Sequence, residues 1–172
     1  RANGIVKSLS HFSRQSAKMD EKCHIHKMLD NCLSMLHNKI KYNAEVIRQY
    51  EDEELIVIGN EGKLHQAFLN ILANAEQAIE KNGVIKVWTK VEENKIMVGV
   101  KDNGYGISKE HMAKIHDPFF TTKDVGEGTG LGMAIVYKII EKHGGSLIVE
   151  TELNKGTEFI ITLPLRQPNE FE

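Results

Sequence analysis

Two asparagines interrupt an apolar helical pattern over residues 64–79, and their spacing could serve a metal ion. Asn70 and Asn74 are four residues apart, so both amides project from one face of the predicted helix. A buried amide without a hydrogen bond costs about 1–3 kcal/mol, so both amides need partners. Two interpretations stay open: core amides that tie down neighbouring backbone, or carbonyl oxygens that face a hard cation, which prefers oxygen ligands.

The segment DNGYGI at 102–107 follows a predicted strand and combines a carboxylate with two glycines. Asp102, at the end of the strand, can accept a hydrogen bond from an exocyclic amine. Gly104 and Gly106 let backbone approach a flat ligand closely. The segment is also a good turn sequence, so by itself it predicts either a ligand pocket or a simple turn.

Two further segments, DPFFTTK at 117–123 and GEGTGLG at 126–132, could contact phosphate. In the first, the paired phenylalanines could anchor a loop while Lys123 reaches a phosphate, or they could only pin a long loop to the core. The second opens a predicted helix, where unpaired N–H groups and the positive end of the helix dipole suit an anion. It is neither a Walker loop, since no Gly-Lys-Ser/Thr follows, nor a Rossmann fingerprint, since no strand leads directly into it.

The elements that must position these segments follow from hydrophobic periodicity. Apolar residues at spacings of three and four predict helices over 1–18, 25–40, 64–79 and 131–143. Alternating or short apolar runs predict strands near 46–50, 55–58, 84–91, 95–100, 146–151 and 157–163. Asn60 and Ser108 are predicted helix caps, Gly144-Gly145 is a helix stop, and 117–130 is a predicted loop. This order predicts an α+β sandwich with helices on one face of a mixed sheet.

Composition excludes several classes of protein. The 172 residues are 41% hydrophobic and 27% charged, as in one ordinary globular domain with room for a small appendage. The net charge of −2 argues against a nucleic-acid module, and we find neither a membrane span nor a signal peptide, so we expect a cytoplasmic location. Cys23 and Cys32 are expected to be reduced thiols. Because an amphipathic pattern is already running at Arg1, we expect a longer parent protein, with any sensor or membrane anchor upstream.

In their order along the chain, the four chemical segments resemble the N, G1, F and G2 boxes of the sensor histidine kinase catalytic domain, in the GHKL group of ATPases and kinases. The resemblance covers about residues 44–165, and DPFFTTK followed by GTGLGMAIV is especially specific. Gly156-Thr157 also resembles the closing GT of the family. The resemblance implies a Bergerat-type sandwich that binds ATP and Mg²⁺.

The same resemblance implies a role for each box. Asn74 would coordinate Mg²⁺, with Asn70 near the metal and the phosphates, and Asp102 would accept from the adenine amino group, helped by water and Thr157. Residues 117–130 would be the ATP lid. The candidate catalytic residues are Asn70, Asn74 and Lys123, and the candidate metal ligands are Asn74 and Asn70. The candidate cofactor-binding residues are Asn74, Gln77, Asp102, Gly104, Gly106, Ile107, Thr121, Thr122, Lys123, Gly128, Thr129, Gly130, Leu131, Gly132 and Thr157.

One position departs from the family pattern. Many histidine kinases carry a basic residue three positions after the metal-binding asparagine, where this chain has Gln77. Lys123 is our candidate for the missing charge. The histidines outside the motifs, which we expect at the surface or the edge of the core, are His65, His111, His116 and His143.

The N-terminal residues resemble part of a dimerisation hairpin, less specifically. IVKSLSHFSR resembles the distal half of its first helix, and 26–42 resembles its second helix. We therefore predict a partial hairpin over 1–43 and an ATP-binding catalytic domain over 44–172. His11 is followed by Phe12 rather than by an acidic residue, so we expect that the hairpin part lacks the phosphoacceptor.

The resemblance implies a kinase that donates the γ-phosphate of ATP to a histidine of its dimerisation helix. The implied partners are the receiver domain of a response regulator and, in the full-length protein, a second copy of the kinase. Two alternatives stay open: an ATP-hydrolysing clamp, as in the gyrase, Hsp90 and MutL branches, or a nucleotide-binding scaffold. Clamp relatives carry Glu at the place of Asn70, and an amide cannot serve as the general base for hydrolysis, so Asn70 favours the kinase.

Overall fold

The structure, a computed structural model, describes residues 18–115 and 132–165. The helices within these residues are α1 (Ile25–Ile40), α2 (Glu61–Gln77), α3 (Lys109–Met112) and α4 (Gly132–Lys142). The strands are β1 (Glu21–His24), β2 (Ala44–Gln49), β3 (Ile56–Gly59), β4 (Gly83–Glu92), β5 (Lys95–Asp102), β6 (Ser146–Glu152) and β7 (Gly156–Pro164). The predicted loop over 117–130 and all but the last residue of the predicted helix over 1–18 lie outside the described residues.

Five of the strands form one mixed sheet in the order β2-β4-β5-β7-β6. Strand β2 runs parallel to β4, and the other neighbours are antiparallel. One face is buried, with Val87, Val100 and Phe159 side by side in register, and helices α2 and α4 pack against the sheet. On the other face Ile148 is exposed and Trp88 is half-buried. The predicted fold class, an α+β sandwich with a mixed sheet and helices on one face, is confirmed.

Helix α2 is the middle helix of the layer, since it packs against both α1 and α4. Its start is fixed by Asn60, whose side chain accepts a hydrogen bond from the Lys63 backbone N–H at 2.9 Å, as the sequence predicted. Its apolar face is buried by Leu64, Ala67, Phe68, Ile71, Leu72 and Ala75. A broad apolar face of this kind is what a helix covered on two sides requires.

Strand β1 and helix α1 are joined to the elements that follow them in the chain. Strand β1 pairs antiparallel with β3, the Ile25 N–H donates to the Leu55 carbonyl at 2.9 Å, and α1 packs against α2. The apolar stripe of α1 needed a partner, and among the described residues α2 supplies it. The predicted hairpin partner over 1–18 lies, except for Lys18, outside those residues. Strand β1 and helix α1 therefore share a core with the elements after residue 43, and the division of the chain at that residue stays a prediction.

The C-terminal end of α4 is tied to the start of α2. Helix α4 stops before Gly144, whose φ of 73° is the left-handed conformation of a helix stop. His143 is buried, its Nε2 accepts from the Asn60 backbone N–H at 3.0 Å, and its Nδ1 lies 2.7 Å from the Ile139 carbonyl, to which it donates. The expectation that His143 lies at the surface or the edge of the core is wrong, because its ring joins two helices inside the molecule.

Three smaller expectations can be compared with the structure. Both cysteines, Cys23 and Cys32, are buried free thiols, as expected. Ser108 caps α3 by accepting from the His111 backbone N–H at 3.2 Å, also as predicted. Within residues 18–115 and 132–165, no helix is both long enough and apolar enough to cross a membrane.

Candidate nucleotide-binding site

The side-chain amides of two asparagines in α2 contact the first turn of α4. Asn70 and Asn74 are half-buried on the same face of α2. The Asn70 Nδ2 donates to the Gly132 carbonyl at 3.5 Å, and the Asn74 Nδ2 lies 3.2 Å from the Met133 sulfur. The structure thus brings the two asparagines together at the N-terminal end of a helix, where the dipole and the backbone N–H groups favour an anion such as phosphate.

This corner suits a metal ion that arrives with phosphate. Among the described residues, no group of three or more His, Cys, Asp or Glu side chains is arranged to hold a metal. Amide oxygens, such as those of Asn70 and Asn74, are hard ligands of the kind that Mg²⁺ accepts. Mg²⁺ usually takes only one or two protein ligands and completes its shell with water and substrate phosphates. Two asparagines at a helix N-terminus fit that pattern and do not form a complete protein cage.

Asp102 is a buried carboxylate at the last position of β5. It is 3% exposed, and one of its oxygens accepts from the Gly104 backbone N–H at 2.8 Å. Burial raises the pKa of Asp102 from 3.8 to about 6, while hydrogen bonds from the backbone N–H groups of Gly104 and Thr157 act in the opposite direction. At neutral pH the group is therefore ionised and acts only as a hydrogen-bond acceptor.

The glycines of the 102–107 segment are required by contacts with protein backbone. A Cβ on Gly104 would lie 2.2 Å from the Ala78 carbonyl oxygen, just beyond α2. Gly106 has a φ of 73°, and a Cβ there would lie 2.2 Å from the Glu152 carbonyl oxygen at the end of β6. The segment is thus held between the C-terminal end of α2 and the β6–β7 turn. These glycines were predicted to allow a ligand to approach closely, and in the structure both already lie close to backbone of the chain itself.

Thr157 lies opposite Asp102 in the register of β5 and β7. The resemblance assigned to Thr157 a role in holding this carboxylate, and its backbone N–H does so. Its hydroxyl lies 2.9 Å from the hydroxyl of Thr151 in β6. Thr151 also accepts from the Ile107 N–H at 2.9 Å.

Sequence reasoning did not single out Thr151. A signal for it was available, because Thr151 alternates onto the inward face of the closing hairpin, directly opposite Thr157.

The remaining candidate residues divide into two groups. Gln77 is exposed at the last position of α2, and Gly132 begins α4, where an added Cβ would meet no atom of residues 18–115 and 132–165 within 4 Å. The candidates outside the described residues are Thr121, Thr122, Lys123, Gly128, Thr129, Gly130 and Leu131.

The chain belongs to the family of histidine kinase-, DNA gyrase B- and HSP90-like ATPases, whose sequence profile matches residues 59–167. Sporulation kinase E of Bacillus subtilis (strain 168) is 33% identical over 169 residues, which make up 97% of this chain and 23% of that kinase. The nucleotide-free catalytic domain of histidine kinase ThkA is 33% identical, with a TM-score of 0.75 over 84% of this chain and 95% of that domain. Full-length ShkA in complex with AMPPNP is 26% identical, with a TM-score of 0.71 over 94% of this chain and 35% of that protein.

Proposed function

We propose that this chain is the ATP-binding catalytic part of a sensor histidine kinase, which binds Mg·ATP and donates the γ-phosphate to a histidine on the dimerisation helix of the same kinase. Support comes from the family, from the similarity to the ThkA catalytic domain and to Sporulation kinase E, and from the site. The proposed kinase acts in the cytoplasm as a homodimer and passes the phosphoryl group to a response regulator receiver domain.

The adenine end of the proposed site is centred on Asp102. An ionised, buried carboxylate pairs with a donor such as the 6-amino group of adenine and opposes the carbonyl of guanine. ShkA, a structural relative, was crystallised with AMPPNP, an adenine nucleotide. We therefore assign the base to the pocket beside Asp102.

The phosphate end of the proposed site is the corner of α2 and α4. Asn74 and Asn70 would offer amide oxygens to Mg²⁺, and the N-terminal end of α4 would receive the phosphates. Bound Mg²⁺ would neutralise charge on the transferring phosphoryl group. The contribution of the chain is then to hold the phosphates in line with an incoming nucleophile.

Residue 70 distinguishes a kinase from an ATP-hydrolysing clamp. The Asn70 amide lies at the start of α4, close to the proposed phosphates, and it cannot remove a proton from water. A histidine acceptor needs no such base, because the neutral imidazole is itself the nucleophile. The site therefore favours transfer to histidine over hydrolysis.

The test is incubation of this chain with γ-labelled ATP, Mg²⁺ and a polypeptide that carries the dimerisation helices of the same kinase. We expect an acid-labile, base-stable label on that polypeptide and none on the chain alone, since His11 is followed by Phe12 and lacks the acidic neighbour that the resemblance implies for an acceptor. Asn74→Ala should weaken Mg·ATP binding by about 1–3 kcal/mol and reduce the label, because an oxygen ligand is lost. Asn31→Ala, at an exposed position of α1, is the matched control and should behave like the unaltered chain.

The outcomes separate the alternatives. Release of phosphate without a label on the helix polypeptide would identify a hydrolysing clamp. ATP binding without either product would identify a scaffold. Unchanged Mg·ATP affinity in Asn74→Ala, measured by calorimetry, would contradict the metal assignment.

A further inference from the structure

Thr151 makes three hydrogen-bond contacts through one hydroxyl at the edge of the proposed adenine pocket. Its Oγ1 accepts from the Ile107 backbone N–H at 2.9 Å. The same oxygen lies 3.0 Å from the Gly156 carbonyl and 2.9 Å from the Thr157 Oγ1. Thr157 is 5% exposed and stands opposite Asp102 in the sheet register. One hydroxyl therefore links the 102–107 segment to the residue beside the buried carboxylate.

The number of hydrogens at this cluster decides how each hydroxyl points. A threonine hydroxyl has one hydrogen and two acceptor lone pairs. A carbonyl can only accept, so the contact between Thr151 and the Gly156 carbonyl uses the hydrogen of Thr151. One lone pair of Thr151 is taken by the Ile107 N–H, and the other faces Thr157. The contact between the two hydroxyls is then a bond in which Thr157 donates and Thr151 accepts.

This arrangement makes the Thr157 hydroxyl a hydrogen-bond acceptor toward any ligand. With its hydrogen committed to Thr151, the Thr157 Oγ1 presents only lone pairs in other directions. Asp102, which is ionised at neutral pH, also presents only lone pairs. Asp102 in β5 and Thr157 in β7 therefore both act as hydrogen-bond acceptors. Together they favour a ligand that presents donors at this place and disfavour one that presents a carbonyl oxygen.

We propose that Thr151 is a positioning residue that sets base specificity: by holding the hydroxyl of Thr157 as an acceptor, it makes the pocket prefer a purine with a 6-amino group over one with a 6-carbonyl. This inference rests on the proposed function, because it requires that the purine base binds beside Asp102. Thr151 acts through Thr157 and through the Ile107 N–H. Its loss should therefore weaken binding generally and, separately, relax the choice of base.

The experiment compares ATP with inosine triphosphate, which carries a carbonyl in place of the 6-amino group, by calorimetry in Mg²⁺. The unaltered chain should bind ATP at least about tenfold more tightly, as expected when a mismatched base leaves buried polar groups unpaired. In Thr151→Val the Thr157 hydroxyl can turn its hydrogen toward the carbonyl. The ratio of the two affinities should then fall by about 2- to 10-fold, the equivalent of one neutral hydrogen bond. Thr151→Ser keeps the hydroxyl and should restore the ratio.

A second variant gives an answer even if Thr151→Val does not fold. Thr157→Val removes the oriented acceptor without altering Thr151, and it should lower the ratio, whereas Thr157→Ser should keep it. The inference is overturned if Thr151→Val weakens both nucleotides equally, if Thr151→Ser does not restore the ratio, or if Thr157→Val leaves the ratio unchanged. If the unaltered chain fails to bind ATP, or binds both nucleotides equally, the proposed adenine site itself is wrong, and this result is distinguishable from the others.

Discussion

Replacement of Asp102 by asparagine tests whether the proposed pocket holds a charge that destabilises the fold. Asp102 is 3% exposed, and burial raises its pKa from 3.8 to about 6. The folded chain therefore binds this proton more tightly than the unfolded chain. The contribution of Asp102 favours folding most below pH 3.8 and is lost as the pH rises to about 6. A shift of about two pKa units corresponds to at most about 3 kcal/mol near neutral pH.

The expected result has two parts with opposite signs. Asparagine removes the charge, but its NH₂ group cannot accept from a backbone N–H, and this loss costs about 1 kcal/mol. Near neutral pH we expect Asp102→Asn to raise the free energy of unfolding of the nucleotide-free chain by about 2 kcal/mol. Near pH 4 the gain should vanish or become a small loss, because the wild-type carboxyl is then protonated in the folded state. The same variant should lose its preference for adenine nucleotides.

The assay is urea unfolding of the wild type and the variant at the two pH values, with ATP binding measured by calorimetry. Asp52→Asn, at an exposed position, is the matched control and should change the free energy of unfolding by less than about 0.5 kcal/mol at both pH values. A difference between wild type and Asp102→Asn that does not depend on pH would refute the reasoning, because the buried carboxylate would then carry no desolvation cost.

Two further predictions concern the packing around the site, both measured by urea unfolding. Gly104→Ala should destabilise the chain by about 2 kcal/mol or more, since its Cβ would lie 2.2 Å from the Ala78 carbonyl oxygen. Gly132→Ala, where a Cβ meets no atom of the described part of the chain within 4 Å, should change stability by less than about 0.5 kcal/mol; equal effects would contradict the packing argument. His143→Leu should cost about 2 kcal/mol because the Asn60 N–H loses its buried acceptor, whereas His37→Leu, at an exposed position of α1, should cost little. A His143→Leu variant as stable as the unaltered chain would contradict the stabilising role of this hydrogen bond.

Local patterns predicted most of the secondary structure, because each was carried by neighbouring residues. Short stretches of sequence were enough for three features: the cap at Asn60, the apolar face of α2, and the hairpin between the neighbouring strands β4 and β5. The packing of α1 against α2 did not follow from spacing. An amphipathic pattern shows that one face of a helix must be buried, but it does not show which element buries it. Strand β1 is four residues long and pairs with a strand more than thirty residues away, so its own sequence carried little signal.

The candidate site was predictable to a similar extent. The motifs placed Asn70, Asn74 and Asp102 correctly on their elements, but the motif logic did not explain why the glycines are there. Gly104 and Gly106 are required by carbonyl groups of the chain itself, which come from α2 and β6. Thr151 was missed for the same reason, since its importance lies in hydrogen bonds to Ile107 and Thr157 from other segments.

Helices α2 and α4 run in opposite directions and are linked at two places. The Asn60 N–H, at the start of α2, donates to His143 just after α4, and the Asn70 amide, in the middle of α2, donates to the Gly132 carbonyl at the start of α4. The first contact is buried in the core, and the second lies at the proposed phosphate corner. Because α4 is only 11 residues long and packs against α2 along its length, we expect a displacement of the helix at His143 to move Gly132 as well. We therefore expect the distance between the α2 amides and the N-terminal end of α4, on which phosphate and metal binding would depend, to change when His143 is replaced.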